Sequence, residues 1–192
     1  MKKIVLASSS PRRRELLSEF NLDLNIISSN IKEKINITEK PEQVAMTLAF
    51  EKAYDVAIKI SEEKIVLAAD TIVVKDFILG KPKSELEAFE MLSKLNGQQH
   101  YVITGISLIN LSKGIKVVDY AKTIVTFKQL PESKIRKYIN TGEYKDKSGG
   151  YGIQGKGSIL VDEIEGSYSN VVGLPLSKVE DLLERYFGFS LL

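Results

Sequence analysis

Three features of this chain predict a mixed α/β fold. Two short apolar runs, Ile4-Val5-Leu6-Ala7 and Leu24-Asn25-Ile26-Ile27, each stand ahead of a segment whose apolar residues recur at helical spacing. A longer run, Ile65 to Val74, is apolar except at Asp70-Thr71. From Tyr101 onward the pattern turns strand-rich. The 192 residues suit one large domain or two closely joined lobes, and a hydrophobic fraction of 43% supports a substantial core.

The first strand runs into Ser8-Ser9-Ser10-Pro11-Arg12-Arg13-Arg14. Ser10 fits an N-cap and Pro11 fits the first helical position, where a missing N–H costs nothing. Leu16, Leu17 and Phe20 continue at helical spacing. After the second strand, Asn30 to Lys40 reads as a polar loop carrying Glu33. Pro41 then opens a helix to about Ile60. Strand Ile65–Val74 turns at Lys75-Asp76 into a return strand, Phe77 to Leu79. Gly80-Lys81-Pro82 breaks it, and Ser84 with Glu87 forms a capping box for a helix with Phe89, Leu92 and Leu95 inward. Asn96-Gly97 ends that helix.

Strands follow over Tyr101–Ile109 and Ile115–Phe127, with Lys113-Gly114 as the turn. A helix spans Pro131 to about Asn140. Thr141 to Gly157 is a glycine-rich loop, followed by a strand over Ser158–Ile164. Ser167 to Val172 is expected to be extended. Ser177 with Glu180 caps a last helix that directs Val179, Leu182, Leu183, Tyr186 and Phe187 to the core.

Several positions suggest chemistry. Arg12, Arg13 and Arg14 lie at the positive end of the first helix, where cations are mildly unfavourable unless an anion sits there. Serine hydroxyls, free backbone N–H groups and guanidinium groups at a helix N-terminus suit a phosphate. Stepping by four from Val44 gives Val44, Leu48, Lys52, Val56 and Ile60, so Lys52 falls inside an apolar stripe. It either snorkels to water or meets an anion. Asp70 in an apolar strand is costly unless paired, hydrogen-bonded or bound to a metal. Gly150 to Lys156 has P-loop spacing, but Gly157 replaces the Mg²⁺-binding hydroxyl and a strand follows instead of a helix, which rejects that motif. The glycines instead let backbone approach a ligand, with Gln154 able to donate and accept. His100, the only histidine, reads as structural.

Composition narrows the classes. Basic residues number 27 against 25 acidic, a net charge of +2, without the basic excess of a nucleic-acid binder. The absence of cysteine excludes disulfides and thiolate metal sites and is compatible with a cytoplasmic protein. Met1-Lys2-Lys3 precedes too short an apolar run for a signal peptide, and no segment approaches the ~20 apolar residues of a membrane span. Cations (Ser8 loop, Lys52, Lys81, Lys147) with carboxylates (Asp70, Glu33) suit a polyphosphate carrying Mg²⁺ or Mn²⁺.

Ala7-Ser8-Ser9-Ser10-Pro11-Arg12-Arg13, Glu51-Lys52-Ala53, Ala69-Asp70-Thr71, Gly80-Lys81-Pro82, Gly152-Ile153-Gln154-Gly155 and Val172-Gly173-Leu174-Pro175 together resemble the Maf family of nucleotide pyrophosphatases, nearly end to end. The resemblance implies a single domain over residues 1–192. Its expected fold is inosine-triphosphatase-like, an elongated α/β protein with two lobes around a central cleft. It implies hydrolysis of a nucleoside triphosphate to the monophosphate and pyrophosphate, and the family's first naming carries a link to septum formation. It allows a homodimer.

Family members acting on 7-methyl-GTP resemble Ser-Pro-Trp-Arg, Ser-Asp-Gln and Ser-Glu-Gly at three places. Here those places read Ser10-Pro11-Arg12-Arg13, Ala69-Asp70-Thr71 and Ile153-Gln154-Gly155, similar to the dTTP/UTP subgroup. The resemblance makes Asp70 the proton acceptor, and Arg12, Thr71 and Gln154 the residues setting base preference. Ser8, Arg13, Lys52, Lys81 and Lys147 become phosphate-binding, and Asp70 with Glu33 holds the divalent cation. Lys32 stands where the family usually has an acidic neighbour of Glu33, and Ser148 and Gly150 replace alanines. The competing class is a non-catalytic nucleotide-binding regulator of cell division, which has little reason to bury Asp70.

Overall fold

The computed structural model describes residues 3–34, 36, 38–60 and 63–192. Met1 and Lys2, at the head of the short apolar run, and Ile35 and Ile37, inside the polar loop, lie outside the described residues. The elements in chain order are β1 (Lys3–Leu6), α1 (Pro11–Ser18), β2 (Asp23–Ile26), α2 (Pro41–Ala57), β3 (Ile65–Val74), β4 (Ile78–Leu79) and α3 (Glu85–Leu95). They continue as β5 (Gln99–Asn110), β6 (Ile115–Phe127), α4 (Glu132–Ile139), β7 (Val161–Glu165), α5 (Tyr168–Val172) and α6 (Leu176–Phe187). A seven-stranded mixed sheet has the order β2-β1-β3-β5-β6-β7, with β4 paired to β3. Strand β1 is parallel to both β2 and β3, whereas β4 and β7 are antiparallel to β3 and β6. The α/β expectation is met.

The chain divides into two compact units. The first holds residues 1–70, 104–121 and 173–192. Its central strands β1 and β3 are buried on both faces, as parallel strands flanked by helices must be. Ile4, Leu6, Ile65, Leu67 and Ala69 pack on one side with Leu17 of α1 and Val179, Leu182 and Leu183 of α6. Val5, Ala7, Val66 and Ala68 pack on the other side with Ala53, Val56 and Ala57 of α2. Strand alternation thus assigns residues 4–7 and 65–69 to one helix layer or the other. Gly105 lies where the backbone of α2 comes closest. A Cβ there would overlap the Ala45 carbonyl and approach within 2.6 Å of the Met46 nitrogen.

The second unit holds residues 71–103 and 122–172. Its core joins Val73, Leu79, Leu92, Leu95, Val125 and Phe127 to Ile135, Ile139 and Leu160. His100 is buried here. Its Nε2 lies 2.7 Å from the Tyr151 hydroxyl, and the Phe127 and Tyr151 rings meet it edge-on. The structural reading of His100 therefore stands. Burial, followed by the charge of Lys75, lowers its pKa to about 4, and burial pushes the Tyr151 phenol upward.

Several local expectations need correction. Residues Tyr168–Val172 are helical, not extended, because the Ser167 hydroxyl accepts the Asn170 N–H (3.2 Å) and starts a turn. Buried Asn170 then ties that turn down by donating to the Val102 carbonyl and the Thr123 hydroxyl. The strand expected from Ser158 begins at Val161, since Gly155–Leu160 forms a 3-10 turn. Ser177 lies inside α6, whose N-cap is Pro175, so it caps nothing; Glu180 accepts instead from Ser190 and Leu191. Tyr186 is exposed, because left-handed Gly188 turns the chain so that Phe189 and Leu191 fill that end of the core. Ser84 accepts the Glu87 N–H, but the Glu87 carboxylate takes the Lys83 N–H, leaving the capping box half formed.

Gly105→Ala should cost roughly 3 kcal/mol, the upper part of the overpacking range, because backbone rather than a side chain must give way; urea unfolding measures it. Stability should also fall by about 3 kcal/mol between pH 6.5 and pH 4 through His100. Above that window the ring is neutral folded or unfolded; within it only the unfolded chain binds the proton; below it both do. His100→Gln should lack this slope in pH-dependent urea midpoints.

Candidate active site

Lys52 and Asp70 are each positioned by the periodicity of their element. Val66, Ala68 and Asp70 share the β3 face turned to α2, while Val44, Leu48, Lys52 and Val56 share the α2 row turned to the sheet. The two rows meet, so the Lys52 amine hydrogen-bonds to Asp70 Oδ1. The same amine lies 2.7 Å from Glu33 Oε1. The Lys52 and Asp70 side chains are 14% and 11% exposed, whereas Glu33 is 43% exposed, so the lysine bridges a buried carboxylate to one at the surface. Of the two readings open for Lys52, meeting an anion is the one observed; the anion is the protein's own.

The loop between β1 and α1 forms the second part. Ser8 is buried, and its hydroxyl accepts from the Ser10 N–H and from Arg13 Nη1, each at 3.2 Å. Arg13 Nε donates to the Gly173 carbonyl at 2.8 Å. Burial draws the Arg13 pKa below its ordinary value; Asp70 and Glu33 oppose that and Arg12 adds to it, so the carboxylates lie within electrostatic reach of this guanidinium. Ser10 has N-cap backbone geometry, but its side chain makes no cap bond. The N–H groups of the first turn of α1 therefore have no side-chain acceptor from the cap, as an anion site requires. Among the described residues, no hydrogen bond or ion pair engages the Arg12 guanidinium.

The second unit gathers the remaining predicted residues around its glycine-rich segment. Ser148 donates to the Thr71 carbonyl and the Gly149 N–H to the Gly80 carbonyl, each at 3.0 Å. Thr71 and Gly80, the residue before Lys81, are thereby stitched to one turn, Ser148–Gly150, in which Gly149 and Gly150 take positive φ. The Lys147 amine donates to the Glu143 carbonyl, and its stem lies over Gly152. Lys81 is exposed and Gln154 half-buried, and neither side chain is hydrogen-bonded among the described residues.

Glu143 was not visible as a site-building residue from the sequence. Its carboxylate accepts the Lys156 N–H (3.1 Å) and the Gly157 N–H (3.0 Å), thirteen and fourteen residues on, and so fixes the turn that follows Gln154. Gly173, by contrast, falls in the Val172-Gly173-Leu174-Pro175 motif, but no sequence pattern pairs its carbonyl with Arg13.

Asp70 and Glu33 offer carboxylate oxygens that already converge on one cation, Lys52. That donor set fits a hard divalent ion such as Mg²⁺ or Mn²⁺. Among the described residues no group of three or more His, Cys, Asp or Glu is arranged to hold a metal, so such an ion would take its other ligands from water and substrate. Among the described residues no helix is long and apolar enough to cross a membrane.

The chain belongs to the Maf family: residues 3–186 match the family described as Maf-like protein. A protein of Clostridioides difficile named dTTP/UTP pyrophosphatase is 51% identical over 98% of this chain and 97% of its own length. A relative from Caldanaerobacter subterraneus subsp. tengcongensis with the same name is 52% identical over 97% of this chain and 90% of its own. One from Alkaliphilus metalliredigens, also so named, is 44% identical over the full length of both. Among solved structures, a HAM1 protein from Coxiella burnetii aligns with a TM-score of 0.49 at 17% identity, covering 68% of this chain and 75% of that one.

Glu143→Ala leaves two backbone N–H groups without their acceptor. It should destabilise the protein by about 1–3 kcal/mol and speed proteolytic cutting within residues 152–160, as urea unfolding and limited proteolysis would show.

Proposed function

We propose that this protein hydrolyses dTTP and UTP to the nucleoside monophosphate and pyrophosphate. The observation that carries the proposal is the Asp70–Lys52–Glu33 assembly, set within electrostatic reach of Arg13 on an anion-ready helix start. The names of relatives near 50% identity over nearly the whole chain support the same reaction and the same bases.

In this reading Ser8, Arg13, Lys52, Lys81 and Lys147 hold the triphosphate, together with N–H groups at the start of α1. The Asp70 carboxylate orients a water and accepts its proton as the water oxygen bonds to the α-phosphorus. The bond from that phosphorus to the bridging oxygen breaks, and pyrophosphate leaves with the electron pair. A carboxylate by itself is a weak base toward water. A divalent ion held by Asp70 and Glu33 would supply what the carboxylate lacks, by acidifying water and offsetting phosphate charge. Arg12, Thr71 and Gln154 set the preference for a pyrimidine; the Gln154 amide, free of protein partners among the described residues, can both donate to and accept from a pyrimidine edge.

The test is product analysis with UTP, dTTP, CTP, GTP and 7-methyl-GTP in Mg²⁺ or Mn²⁺, with Asp70→Asn alongside. UMP and dTMP with pyrophosphate are expected, and the variant should lose about 10²–10⁴-fold in turnover while remaining folded. Inorganic phosphate as the product would overturn the reaction. Preference for 7-methyl-GTP would overturn the roles of Arg12, Thr71 and Gln154. Nucleotide binding without turnover in any metal would leave a non-catalytic regulator.

A further inference from the structure

Lys52 occupies the point that the two carboxylates share. Its amine bonds to Asp70 Oδ1 and sits 2.7 Å from Glu33 Oε1. It is held there from both ends. The stem lies in the apolar row of α2 between Leu48 and Val56, and Asp70 is anchored in a strand buried on both faces. Glu33, 43% exposed, forms the surface end of the contact.

A divalent cation drawn to Asp70 and Glu33 needs the oxygens that the ammonium already holds. The two cations would repel at that separation, and the buried surroundings leave little water to screen them. We propose that Lys52 is the resident counter-ion of the Asp70–Glu33 pair, and that a divalent cation binds this site only by displacing its amine. The displaced ammonium then lacks a partner and is free to take a phosphate oxygen. Metal and triphosphate therefore favour one another: the metal releases the lysine that the phosphates use, and the phosphates give that lysine somewhere to go. Such coupling is reciprocal by necessity. The inference rests on the reading of Asp70 and Glu33 as metal ligands, and it adds that Lys52 opposes the metal when no nucleotide is bound.

The test measures Mn²⁺ binding to the nucleotide-free full chain by electron paramagnetic resonance, with thermal melts to confirm folding. Lys52→Met keeps the length of the stem and removes the charge; it should bind Mn²⁺ at least tenfold more tightly than the unaltered protein. Lys52→Arg keeps the charge and should bind no more tightly than the unaltered protein. Asp70→Asn should lose the site. In the unaltered protein, acylation of the Lys52 amine, read by peptide mass spectrometry, should rise several-fold on Mn²⁺ saturation without nucleotide, and this readout decides the matter if Lys52→Met does not fold.

Equal or weaker Mn²⁺ affinity in folded Lys52→Met, or labelling that Mn²⁺ leaves unchanged, would overturn the displacement. Mn²⁺ binding that survives Asp70→Asn would instead overturn the metal-site reading beneath it. The two failures are therefore distinct.

Discussion

A carboxylate in the middle of a buried strand has to be neutralised, and in this protein Lys52 does so for Asp70. Much of the first unit follows from that requirement. Helix α2 has to run against the β3 face that carries Val66, Ala68 and Asp70, in a register that delivers the amine. Gly105 lets β5 and α2 approach to backbone contact. Removing one partner of a buried pair typically costs about 3–5 kcal/mol, whereas an apolar pair at these positions would pack at no such risk. A chain selected for stability alone would have little use for the arrangement. Its retention fits a site in which charge is wanted inside the fold.

The parts of this arrangement legible in the sequence are those governed by periodicity. The four-residue step along α2 put Lys52 among apolar residues, and the unbroken apolar run put Asp70 in a buried strand. Both placements hold. Their direct pairing was not legible, because two periodicities reveal which face a residue takes but not which row it meets. The local errors share a different cause. Ser167 and Ser177 each open a plausible helical or extended stretch, and only the hydrogen bonds that each hydroxyl finds separate a helix start from a helix interior. Tyr186 has the spacing of a core residue; the left-handed turn at Gly188, which sends Phe189 and Leu191 into its place, is a tertiary outcome.

The second unit handles its charged groups differently. Lys147 and Glu143 do not neutralise each other through their side chains; the lysine amine meets the glutamate's backbone carbonyl, and the carboxylate meets two backbone amides. A glycine-rich stretch that would otherwise be loose is thereby given a defined shape by two of its own side chains. Gln154 stands at the edge of that shaped segment with its amide uncommitted among the described residues. In the proposed reading, that uncommitted amide is the group that would meet the base.

The bond from Arg13 to the Gly173 carbonyl joins residues 160 positions apart. During synthesis from the N-terminus, the serine–arginine loop emerges early, but the carbonyl that orients its guanidinium emerges only near the end. A nascent chain therefore carries the serine–arginine loop for most of its synthesis without the contact that orients Arg13. A ribosome-bound fragment that ends before Gly173 lacks the carbonyl that holds Arg13 in its native position.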